Sequence, residues 1–146
     1  MELNQAIADY RAKGCLLEWV DCLVRYKRHF LLIRTWHSRG WQLPHICVST
    51  TPPQEALQAV VTQLQNHYGV MATPVDVVRV DSSGLGKRSY CTPCLLLEAS
   101  TQLVTLDNPM LSWMWYQPCA FPTDADLLGY QLEVFFQRLR DWGIAS

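Results

Sequence analysis

Residues 51–70 read TPPQEALQAVVTQLQNHYGV, and this stretch decides how the chain is read. Thr51 suits a helix N-cap, Pro52 the first helical position, and Gln54 completes a capping box. Ala56, Leu57, Val60, Val61 and Leu64 recur at helical spacing as one apolar stripe, and Gly69 supplies the stop. The spacing predicts a helix over 51–68 with one face in a core.

Upstream, Leu3, Ala6, Ile7 and Tyr10 predict a short helix over 2–13, ended by Gly14. Residues 15–26 and 30–36 (FLLIRTW) read as strands joined by Lys27-Arg28-His29. Downstream, 75–81 (VDVVRVD) alternates as a strand, and 82–88 (SSGLGKR) reads as a flexible loop. Residues 89–98 read as a strand in which Pro93 makes the first half an edge or a bulge. Two short strands are expected over 102–106 and 111–117. A helix from about Asp124 to Trp142 carries Leu127, Leu128, Leu132, Phe135, Phe136 and Leu139 on its apolar face. This order predicts one α/β domain over 1–146, a mixed sheet sandwiched by helices.

The 146 residues suit one domain. Twelve basic against thirteen acidic side chains give a net charge of −1, which argues against general nucleic-acid binding. No apolar run approaches a membrane span, and the first residues lack the apolar block of an export signal. A cytoplasmic setting with six free cysteines is therefore expected. Charged residues are only 17% of the chain and six residues are Trp, which favours a partner for the surface.

Four pieces in order resemble the Nudix superfamily. They are FLLIRTW followed by GWQLP; the helix QAVVTQLQNHYGV, Gln58 to Val70; the strands ending in CLLLEA; and Trp113-Met114-Trp115 before an amphipathic helix. The resemblance implies a Nudix-like α/β/α sandwich. Ala59, Val60, Val61, Leu64, Gly69 and Val70 keep the apolar frame of the family's helix. Aligned on that frame, the family's Arg falls on Thr62, its three helix glutamates on Gln63, Asn66 and His67, and its paired glycines on His45 and Ile46. The box's first Glu falls on Gln54 and its Gly on Val48.

In the family, those glutamates are implied to hold Mg²⁺ and activate water against a diphosphate. Positions 63, 66 and 67 share one helix face by their spacing. Carboxylates there make a site for a hard cation; Gln, Asn and His make a neutral one. The resemblance therefore implies a degenerate Nudix box. The expected function is non-hydrolytic, with the cleft kept as a binding or interaction surface and no metal or cofactor.

Several residues are candidates on their chemistry. Gln63, Asn66 and His67 are hydrogen-bonding groups for a ligand, or a merely solvated helix face. Arg34, Arg39, Lys87 and Arg88 supply charge to a nucleotide or other flat anion, and Trp36, Trp41 and Trp115 offer stacking surfaces or core packing. His67, His45 and Glu55 are the acid–base candidates if the chain is a divergent enzyme. His67 with His45 and Cys47 matches no standard metal spacing. Cys91 and Cys94 sit three apart in a predicted strand, so they point to opposite faces and do not form a redox pair. A homodimer or other protein partner is the remaining reading.

Overall fold

The computed structural model describes residues 1–35, 40–85, 88–118, 130–141 and 143. Helix α1 spans Leu3–Ala12, β1 Trp19–Tyr26, β2 His29–Thr35 and β3 His45–Cys47. Then follow α2 (Ala56–Tyr68), β4 (Ala72–Leu85), β5 (Arg88–Ala99), β6 (Leu111–Tyr116) and α3 (Tyr130–Asp141). The strands form one six-stranded sheet in the order β4-β5-β1-β2-β6, with β3 paired to β1 off that path. β1 and β5 run parallel and the other pairs antiparallel. No helix among the described residues is long and apolar enough to cross a membrane.

Both faces of the sheet are covered, which explains the unbroken apolar runs in its central strands. Val20, Cys22 and Val24 of β1 and Leu31 and Ile33 of β2 pack against Leu3 and Ile7 of α1 and Val60 and Leu64 of α2. Leu23, Phe30 and Leu32 pack on the opposite side, against Phe135, Phe136 and Leu139 of α3. The expected α/β sandwich is thus the observed one. Cys91 lies in the first cluster and Cys94 in the second, on opposite faces as their spacing requires.

The helix of the opening stretch starts later than its sequence suggests. Pro53–Glu55 forms a 3₁₀ turn, α2 begins at Ala56, and no side chain of this segment caps it. Asn4 of α1 supplies the cap instead: its Oδ1 accepts from Leu57 N–H at 2.8 Å and its Nδ2 donates to the Gln54 carbonyl at 3.2 Å. Arg11 fixes the approach to α2, donating to the carbonyls of Thr51, Val48 and Leu17 at 2.6, 2.7 and 3.2 Å.

Other differences follow from pairing. Residues 102–106 form no strand, because two of the neighbouring backbone amides are committed to the end of α2, as described below. Much of the segment expected as a loop is strand, since Ser82–Leu85 continue pairing with Arg88–Cys91; Gly86 and Lys87 lie outside the described residues. The β1 ladder on β5 starts at Cys94, so Pro93 has its ladder partner only on β4 and behaves as an edge residue. β3 is not evident in the sequence at all. Residues 124–129 of the last expected helix lie outside the described residues, as does Trp142.

Candidate functional site

The site grows from the end of α2. Gly69 adopts φ +65°, a left-handed conformation that stops the helix. The following loop then caps the open carbonyls: Thr105 N–H donates to Tyr68 O at 2.9 Å and Asp107 N–H to His67 O at 3.0 Å. The same Asp107 places its Oδ2 2.6 Å from His67 Nδ1. Main chain and side chain thus clamp the two residues reciprocally. Because a carboxylate only accepts, Nδ1 carries the donated proton and Nε2 is left as the ring's variable nitrogen.

His45 enters the same cleft from β3. Its Nδ1 makes a long contact of 3.4 Å to Leu43 O, and its carbonyl accepts from Tyr68 Oη at 3.5 Å. Burial raises the Tyr68 phenol above its ordinary value. Gln42 is held beside β2 by two backbone bonds of 2.8 Å with Ile33. Gln42, His45, His67 and Asp107 are the main polar lining of a cleft of about 340 Å³, with Ile33 and Leu111 among its apolar walls.

Gln42 and His45 also line a second cleft, of about 360 Å³, with Trp19, Asp21, Asp81 and Thr92. Asp21 lies directly across from His45 in the β1–β3 pairing. The Trp19 ring is 42% exposed and meets the His45 ring edge-on at 5.1 Å. Asp81 is committed to Arg79, at 2.9 Å, and that guanidinium lies 3.9 Å from the Phe135 ring centroid. Asp21 has no hydrogen bond or ion pair among the described residues. Burial pushes its carboxyl above the ordinary value, and the nearby His45 opposes that shift.

The structure therefore brings His45 and His67 together and separates the other candidates. Glu55 is exposed at the far end of α2, about 18 Å along the axis from His67 at ~1.5 Å per residue. Gln63 is half-buried and Asn66 exposed, and neither lines the cleft. Strand alternation turns Arg34 away from the cleft that holds Ile33 and Thr35; its guanidinium stacks 4.9 Å over Trp41. Trp115 donates its Nε1–H to Gln102 O at 3.0 Å, beside the Tyr26 ring. Trp36, Arg39 and Lys87 lie outside the described residues, as does the side chain of Arg88. Cys47 is exposed, its Sγ 3.2 Å from Ser49 Oγ. Among the described residues no three His, Cys, Asp or Glu side chains converge to hold a metal ion.

Sequence reasoning passed over Asp107, Gln42 and Tyr68. Asp107 lies 40 residues from His67, and no local pattern marks it.

No family model and no curated protein sequence matches the chain. Solved structures do. A Nudix hydrolase from Nitrosomonas europaea aligns over 90% of this chain and 91% of its own, at 10% identity and a TM-score of 0.64. An Ap4A hydrolase from C. elegans, solved as a binary complex, aligns over 87% and 96%, at 12% identity and a TM-score of 0.63. A MutT protein from Methanosarcina mazei aligns over 88% and 96%, at 18% identity and a TM-score of 0.60. The mixed sheet, the helices on its two faces and these likenesses together establish that the chain has a Nudix-like α/β fold.

Proposed function

We propose that the cleft between the end of α2 and β3 binds a nucleotide or other flat anionic ligand without a divalent metal and without hydrolysing it. The observation that carries this is the cleft's lining. Of the three α2 positions that the family resemblance assigns to glutamates, His67 lines the cleft, beside His45 and Gln42, and the carboxylate there, Asp107, is engaged by His67. Imidazole and amide groups there suit hydrogen bonding to phosphate or base oxygens better than a hard cation. The fold likeness to an Ap4A hydrolase and to a UDP-X diphosphatase makes nucleotides the first class to try. We place the chain in the cytoplasm, in keeping with its free cysteines.

A thermal-shift panel of nucleotides, sugar nucleotides and dinucleotides in EDTA tests this. A true ligand at about a hundred times its Kd raises Tm by roughly 5 °C or more. No shift anywhere in the panel refutes the small-molecule reading.

The His67–Asp107 contact supports a second reading, a metal-independent enzyme. A carboxylate on Nδ1 is the arrangement that leaves Nε2 to move a proton. In that case the protein turns over dinucleoside polyphosphates or UDP-sugars in EDTA, and His67→Ala lowers the rate by about a hundredfold or more. Absence of products from any substrate class counts against it. A homodimer is a third reading, supported by the exposed Leu103, Met110 and Trp113 at or before the edge strand β6. A strictly monomeric mass by light scattering removes it.

A further inference from the structure

The Trp19 cleft is not needed by the reading above, and it holds a carboxylate that no described residue hydrogen-bonds. That carboxylate, Asp21, is partly buried. Partial burial raises its carboxyl above the ordinary value, and a donor brought by a ligand offsets that desolvation. Asp81, its acidic neighbour, is already paired with Arg79. What remains at the cleft is one acceptor-only group beside an exposed indole held in place by His45.

We propose that this cleft is a recognition subsite for a planar group presenting two adjacent N–H donors, with Trp19 as its stacking surface and Asp21 as its acceptor. Both the edge of a guanine ring and a guanidinium carry that arrangement. Two parallel N–H groups match the two oxygens of a carboxylate, and a flat π-system matches the indole face. A metal ion would also satisfy a carboxylate, but among the described residues the side chains to complete its shell do not converge here. Gln42 and His45 line both clefts, so one molecule can place its donor edge at Asp21 and an anionic group toward His67. The choice of guanine over guanidinium rests on the nucleotide reading; the donor-pair subsite does not.

Isothermal titration in EDTA with guanosine, inosine and adenosine 5′-monophosphates and with agmatine decides the matter. Inosine lacks only the exocyclic amine of guanosine. The guanosine nucleotide is expected to bind about tenfold or more tightly than the inosine nucleotide. Asp21→Asn keeps the side chain's shape, and circular dichroism checks its fold. It is expected to erase that preference while leaving inosine affinity within about threefold, because an amide keeps only one acceptor. Equal affinity for the two purine nucleotides in the native protein overturns the proposal, as does a preference that survives Asp21→Asn. Binding of agmatine alone, lost in Asp21→Asn, sustains the donor-pair subsite and overturns the nucleotide reading. No binding by any of the four overturns both.

Discussion

A partly buried carboxyl that no described residue hydrogen-bonds works against the fold, and the sign of its effect on stability is fixed. Burial raises the Asp21 pKa in the folded chain. The penalty on its ionised form is therefore fully present above the folded pKa and vanishes below the unfolded value of about 3.9. Asp21→Asn is expected to be more stable than the native protein at pH 7, with the difference closing as pH falls toward about 4. Urea unfolding of both proteins at the two pH values measures this. A variant less stable at pH 7 would mean that the carboxylate is satisfied in the folded chain. Asp76 works in the opposite direction: the N-terminal ammonium, 2.5 Å away, holds its pKa low. Its contribution is present at neutral pH and lost as acid protonates it, but it is common to both proteins and cancels in the comparison. At this scale the sequence named His67 and His45, because imidazoles announce themselves by type. It did not give His67 its partner Asp107, because groups that meet by folding leave no mark in local spacing.

Helix α2 shows where local reading succeeds and fails. Its apolar stripe and terminal Gly69 are periodic and local, so both were legible. Its start was not: Thr51 and Gln54 have the composition of a capping box, yet Asn4 of another helix does the capping. Removing that tertiary cap by Asn4→Ala should cost about 1 kcal/mol. Thr51→Ala should cost much less, and equal losses in chemical denaturation would restore the local cap. Gly69→Ala should cost more than Asn4→Ala, about 2 kcal/mol or above. It adds the penalty of a left-handed conformation to a Cβ placed 2.7 Å from Thr105 N, in the segment that carries Asp107. The same substitution should weaken any ligand of the His67 cleft, because moving Thr105 moves the clamp. β3 and the 100–110 segment escaped the sequence for one reason. Three strand residues and a capping loop are defined by what they pair with, not by their own periodicity.

The layered arrangement was legible as a whole, because apolar runs in β1 and β2 without alternation require cover on both faces. It makes a prediction on two consecutive residues. Leu31 packs toward α1 and α2 and Leu32 toward α3, both fully buried. Leu31→Ala and Leu32→Ala should each cost about 2–5 kcal/mol in urea unfolding. A loss under about 1 kcal/mol for Leu32→Ala would mean that α3 does not cover that face. The parallel pairing of β1 with β5 carries a consequence for how the protein is made. Arg25 and Glu98, which this pairing joins, are 73 residues apart. At ~5–20 residues per second, a ribosome takes roughly 4–15 s to add that length. Throughout that interval the nascent chain holds an open strand edge with apolar side chains on both sides, the surface from which aggregation starts. Cellular yield is then set by whatever shields β1 at the ribosome exit during those seconds, before the stability of the finished fold has any influence.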